Sequence, residues 1–163
     1  MRRLIFFLAG GLVFGGLLIL QESRVVEVGG IVPNLLLVGV MSLFFLRNVP
    51  GWFSVSLLAV CSILVYVSVP SWGMAVLVLA VTASVLFLVG SKFLTGNALI
   101  DFPVSVFFLT FLFYIARSFV ESLIFPGIGF GENLSSPGFL FAEAGYNVVM
   151  ALVVGLTALR ESR

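Results

Sequence analysis

Apolar residues run along this chain in six long blocks, and all charged residues except Arg117, Glu121 and Glu143 fall outside them. The blocks cover residues 4–20, 31–46, 52–69, 72–89, 102–124 and 139–159. At about 1.5 Å of rise per residue, each makes a helix comparable in length to the roughly 30 Å hydrocarbon core of a bilayer. The pattern predicts six membrane-spanning helices in one domain, with almost no water-exposed part.

The breaks carry turn and boundary residues. Gln21 to Gly30 is a polar connection, Arg47-Asn48-Val49-Pro50-Gly51 a short turn, Pro70-Ser71 the end of the third block, and Gly90 to Asp101 a loop. Pro33 and Pro103 are expected in the first turns of their helices, where proline's missing N–H has no helical partner in any case. Trp52 and Trp72 stand at block ends, where amphipathic indoles favour the headgroup level. The third and fourth blocks are joined so tightly that they form an antiparallel hairpin. Met1-Arg2-Arg3 before an apolar stretch resembles a signal peptide, but Gln21-Glu22-Ser23-Arg24 follows instead of a small-x-small cleavage site, so a retained first span is expected.

Basic residues orient the spans. With a cytoplasmic N-terminus, Arg2, Arg3, Arg47, Lys92, Arg160 and Arg163 fall on the cytoplasmic side and only Arg24 on the outer side. An even number of spans then places both termini in the cytoplasm. Composition agrees: the 163 residues are 61% hydrophobic and 9% charged, against about 25% charged in soluble domains. A net charge of +1 without a long basic run gives no reason to expect a nucleic-acid partner. There is no His and one Cys, Cys61, which excludes an intrachain disulfide and His-based catalytic triads and argues against a metal site. Cys61 lies mid-span and reads as a small core residue. No enzyme activity and no cofactor are expected.

The chemistry-bearing residues cluster on the last two blocks. Arg117 and Glu121 are one helical turn apart on one, Glu143 and Asn147 one turn apart on the other. A charge at mid-membrane costs at least about 2.5–3.5 kcal/mol, so it needs a partner or a watery cavity. By rise per residue, Arg117 sits about 10 Å below the outer end of its span, between Glu143 at about 6 Å and Asn147 at about 12 Å. An Arg117–Glu143 pair, braced by Asn147 and by the hydroxyls of Tyr114 and Tyr146, is therefore expected. Its plainest role is a structural clamp. The alternatives are a ligand site open to the outer face, or a proton relay.

Two further surfaces stand out. Gly11 and Gly15 form a G-x-x-x-G that lets two helix backbones approach closely, either within this chain or against a partner. Phe125 to Gly138 is the longest loop, and its Ile128 and Phe130, set among glycines, suit docking on the outer side.

Pro33-Asn34-Leu35-Leu36-Leu37, opening the second block, resembles the Arg/Val-Pro-Asn/Asp-aliphatic start of that helix in MreD, the rod-shape-determining membrane protein family of bacteria. Ser71-Trp72-Gly73 resembles that family's small-residue-Leu-Gly turn. Tyr146-Asn147-Val148-Val149, followed by an aliphatic helix ending in Arg160, resembles its closing helix. The family often carries an Asp near the outer end of a Gly-rich third span, whereas here that helix ends Leu64-Val65-Tyr66-Val67-Ser68-Val69. The resemblance implies a non-enzymatic scaffold of the cell-wall elongation machinery (the elongasome, which directs peptidoglycan synthesis and cell shape) in the bacterial cytoplasmic membrane. It would bind MreC, a bitopic protein, and other elongation components. The MreD fold is similar to the substrate-binding component of energy-coupling-factor vitamin transporters, which is the alternative function. A membrane enzyme acting on lipid-linked substrates would need an interfacial carboxylate cluster, and Glu22 and Glu27 are too isolated to make one.

Overall fold

A computed structural model describes residues 12–13, 15–17, 19–21, 23, 27, 29–45, 51–68, 70–90, 95, 97–125 and 136–158. The fold over these residues is all-α. Five continuous helices follow one another: α1 (Leu35–Phe45), α2 (Gly51–Ser68), α3 (Pro70–Gly90), α4 (Ala98–Ile124) and α5 (Pro137–Ala158). Residues 12–13, 15–17 and 19–21 are helical as well. The five helices correspond to the second through sixth apolar blocks.

The centre of the molecule is α1. It is apolar around its whole circumference, which is the pattern of a buried helix. Leu35, Leu36, Leu37, Val38, Val40, Met41 and Phe44 are all buried, and α1 packs against each of the other four helices. Gly39 supplies a gap in this surface. A Cβ there would meet the terminal Cδ1 of Leu17, so the N-terminal segment packs closely on α1 at this glycine. Gly15 does not play that part, because a Cβ on it would meet nothing within 4 Å. The internal close approach expected of the Gly11–Gly15 face is thus made by Gly39 instead, and Gly11 lies outside the described residues.

Successive helices run in opposite directions. At one end of the bundle, Ser54 of α2 donates to the Leu43 carbonyl of α1 (3.0 Å), and Phe44 stacks on Phe87 of α3 at 4.7 Å. Phe45 meets Phe102 of α4 at 5.3 Å there. The start of α1, the start of α3, the second half of α4 and the start of α5 gather at the other end. As the short connection predicts, α2 and α3 pack as a hairpin, and α4 packs closely on α5.

Three helix boundaries differ from the sequence reading, and proline or capping chemistry explains each. α1 begins after Pro33, not around it. Asn34 is the N-cap, its Oδ1 accepting from the Leu37 N–H at 3.0 Å, while Val38 N–H bonds the Asn34 carbonyl at 3.2 Å. α4 begins at Ala98, because Asn97 caps it by accepting from Leu99 N–H. Asp101 is therefore a first-turn acid, not a loop residue, and Pro103 lies inside the helix. The Asp101 carboxylate is buried and turns back to accept from the Thr95 N–H (3.0 Å) and hydroxyl (2.8 Å). Pro70 starts α3 instead of ending the helix before it, the position where a missing N–H is harmless. Residues 71–73 are consequently helical, not a turn.

Among the described residues, two helices are long and apolar enough to cross a membrane: Leu99–Ile124, 26 residues, and Pro137–Gly155, 19 residues. Leu35–Phe45, Trp52–Ile63 and Met74–Gly90 are apolar but shorter. The core is mainly apolar and also holds a few polar groups, while much of the described exterior is apolar as well. Thr110, Ser118, Glu143 and Asn147 are buried, while Val104, Phe108, Leu112, Ile115 and Phe119 stand exposed along the outer side of α4. Cys61 is buried on α2, in keeping with a small core residue.

Candidate functional site

The polar residues of α4 fall on one stripe. Thr110, Tyr114, Arg117 and Glu121 are spaced by four, three and four residues, which keeps them on one helix face. On α5, Glu143 and Asn147 share a face by the same rule, and both are buried.

Asn147 is fully buried, with 0% exposure, and joins three helices. Its Oδ1 accepts from the Asn34 backbone N–H at 2.7 Å, and its Nδ2 donates to Thr110 Oγ1 at 3.1 Å. The Thr110 hydroxyl passes its own proton to the Val106 carbonyl at 2.9 Å. The first N–H groups of a helix have no partner within it, and at α1 other segments provide the acceptors. Asn147 takes the Asn34 N–H, and Gln21 Oε1 of the N-terminal segment takes the Leu35 N–H at 2.7 Å. Before this turn, Gly29 and Gly30 adopt φ of 61° and 81°, a conformation open to glycine and strained for other residues.

Glu143 takes its hydrogen bond from Tyr114, one of the expected braces, and not from Arg117. The Tyr114 hydroxyl lies 2.6 Å from each carboxylate oxygen. Arg117 instead pairs along its own helix, Nε to Glu121 Oε1 at 2.7 Å, with the two side chains 45% and 19% exposed. The expected Arg117–Glu143 clamp is thereby corrected to a Tyr114–Glu143 clamp beside an Arg117–Glu121 surface pair. The i,i+4 partner is already held in reach by the helix, whereas Tyr114, one turn deeper, faces α5 directly. Arg117 remains within electrostatic reach of Glu143. Asn147 braces α1 and Thr110, not the arginine, and Tyr146 makes no hydrogen bond to this set among the described residues.

A cavity of about 120 Å³ opens beside these groups, lined by Gln21, Asn34, Tyr114 and Arg117 over an apolar wall that includes Leu79 and Phe113. Gln21 and Thr110 were not singled out from the sequence. Thr110 was accessible through its spacing from Tyr114 and Arg117; Gln21 was not, since only the folded chain brings it to α1. Ile128 and Phe130 lie outside the described residues. Among the described residues, no group of three or more Cys, Asp and Glu side chains could hold a metal ion. No family model, curated protein or solved structure matches the chain.

Proposed function

We propose that this protein is a six-span scaffold of the bacterial cytoplasmic membrane, with both termini in the cytoplasm, that positions cell-wall elongation machinery by binding an MreC-like single-span partner. The membrane placement is supported by the apolar exterior, with phenylalanines and aliphatic residues exposed along α4, and by two helices long and apolar enough to cross a bilayer. In lipid, helices associate through close packing and a few interhelical hydrogen bonds, which is how α1, α4 and α5 are joined.

The observation that carries the scaffold reading is that the buried polar groups are spent on one another. Among the described residues, no buried side-chain nitrogen or oxygen lacks a hydrogen-bond partner. Asn147, Thr110, Tyr114 and Glu143 fix helix register and leave no buried group waiting for substrate. The cavity, at about 120 Å³, is also smaller than the roughly 300–1,000 Å³ of pockets that enclose drug-sized ligands. The Gly15 and Gly16 surface is open, with nothing within 4 Å of a Cβ on either, and is available to a partner helix.

The test is affinity purification from the native membrane. An MreC-like protein is expected to copurify, and Gly11→Leu with Gly15→Leu to reduce that recovery while the bundle stays folded. If the double variant retains its partner unchanged, the glycine face is not the docking surface. Recovery of a stoichiometric vitamin-like molecule and no elongation component would transfer the function to the transporter reading, for which the cavity is the one favourable feature.

A further inference from the structure

We infer that the cavity at the start of α1 is a seat for a phosphate-type oxyanion, such as the headgroup phosphate of a phospholipid. The polar side chains around it present donors. Gln21 Oε1 and Asn34 Oδ1 are both committed to backbone N–H groups of α1, at 2.7 and 3.0 Å. A backbone N–H can be accepted only by the carboxamide oxygen, so the orientation of both amides is fixed. Each therefore keeps its NH₂ group, with two donors, as its unspent polar end. Among the described residues these NH₂ groups have no hydrogen-bond partner, and since no buried side-chain polar atom is left unpaired, they reach open space.

Arg117 adds a cation. Its Nε is used on Glu121, which leaves the terminal nitrogens of a planar fork shaped to hold two oxygens of one anion. No carboxylate is among the lining residues: Glu121 is engaged by Arg117 Nε, and the Tyr114 hydroxyl donates a hydrogen bond to Glu143. The Gln21 and Asn34 oxygens already accept backbone N–H groups, so donors predominate among the lining polar side chains. A metal cation would meet this lining donor to donor, whereas an oxyanion matches it.

Size points the same way. The cavity of about 120 Å³ has room for one phosphate group. Arg117 is seven residues before the end of α4, about 10 Å along the helix axis. Under the membrane placement proposed above, on which this inference rests, the Arg117 backbone lies within the acyl region, and its long, exposed side chain reaches towards the headgroups. The inference does not depend on the MreC-like partner.

The test uses the full chain in a maltoside detergent free of phosphate. Dioctanoyl phosphatidylglycerol, dioctanoylglycerol and inorganic phosphate are titrated separately, with thermal unfolding and native mass spectrometry as readouts. Phosphatidylglycerol is expected to raise the Tm saturably and to remain bound at one copy per chain, while dioctanoylglycerol does neither. Arg117→Gln is expected to weaken binding about tenfold, the effect of one charge-assisted hydrogen-bond pair, and Arg117→Lys to recover only part of it. Arg117 is half exposed, so both variants fold. Equal stabilisation by inorganic phosphate would support the oxyanion seat and make its occupant a soluble anion. The inference is overturned if neither phosphate compound shifts the Tm, if dioctanoylglycerol binds as well as phosphatidylglycerol, or if Arg117→Gln binds like the wild type. None of these outcomes bears on copurification with a partner.

Discussion

Asn147→Leu removes the one side chain that hydrogen-bonds α1 and α4 from α5. Leucine is close in size, so the change deletes hydrogen bonds with little change in volume. Two contacts go: Asn34 N–H to Oδ1 at 2.7 Å and Nδ2 to Thr110 Oγ1 at 3.1 Å. Their losses are unequal. Thr110 keeps its bond to the Val106 carbonyl, so losing the Asn147 donor leaves no unpaired proton. The Asn34 N–H is left without an acceptor at a part-buried helix start, which costs about 1–3 kcal/mol. Interhelical side-chain hydrogen bonds in membrane proteins average about 0.6 kcal/mol, a suitable value for the Thr110 contact. The expected total is about 2–3 kcal/mol, most of it from the backbone donor. The assay is unfolding in detergent with amide hydrogen exchange read at Asn34. Since 1.4 kcal/mol is a factor of ten, exchange there should accelerate by about 30-fold or more. Thr110→Val should cost about 0.6–1 kcal/mol and leave the Asn34 amide protected. Unchanged exchange at Asn34 in Asn147→Leu, or a larger loss from Thr110→Val than from Asn147→Leu, would refute this account of the joint.

Tyr114→Phe should destabilise the bundle by about 1.5–3 kcal/mol, because it strips the hydrogen bond from buried Glu143; pairing it with Glu143→Leu should give a total smaller than the sum of the single changes. Arg117→Leu should cost only about 0.3–0.5 kcal/mol, the value of an exposed i,i+4 pair, and a loss comparable to that of Tyr114→Phe would restore the Arg117–Glu143 clamp. Gly39→Ala should cost at most about 1 kcal/mol, the low end for overpacking, because the atom in the way is the terminal Cδ1 of Leu17, which can turn aside; a cost of about 3 kcal/mol would mean that Leu17 is locked in place. For topology, Cys61 should be inert to impermeant maleimide from either side; in a Cys61→Ser background, Glu22→Cys should label from outside and Ser162→Cys only from inside, and outside labelling at Ser162→Cys would overturn the orientation.

Helix content and order were legible in the sequence because each block is continuously apolar and ends at a strong local signal. Pro-Asn before Leu35, the Gly-rich break after Gly90 and the Ser-Pro before Gly138 locate the breaks between helices to within a few residues. Those signals act within a turn or two of chain, where periodicity and capping chemistry decide the outcome. The four-residue difference at the start of α4 arose because Asp101 is a charge among apolar residues, and hydropathy alone cannot distinguish a loop acid from a first-turn acid that folds back onto Thr95. The candidate polar residues were also visible, since Arg117, Glu121, Glu143 and Asn147 are the costly exceptions in otherwise apolar blocks.

Their pairing was not visible. Arg117, Tyr114 and Asn147 all lie within reach of plausible partners by depth alone, and depth along a helix leaves its rotation undetermined. The tertiary structure set that rotation. It gave Glu143 to Tyr114, left Arg117 to its neighbour Glu121, and brought Asn147 to the backbone of α1, 113 residues away in sequence. It also made α1, one of the shortest apolar blocks, the hub of the bundle. Composition alone determined that the helices are predominantly apolar; the fold decided that Thr110, Glu143 and Asn147 are buried. Which polar group meets which depends on the packing of side chains such as Leu17 against Gly39, whose close contact forms only when distant segments are brought together.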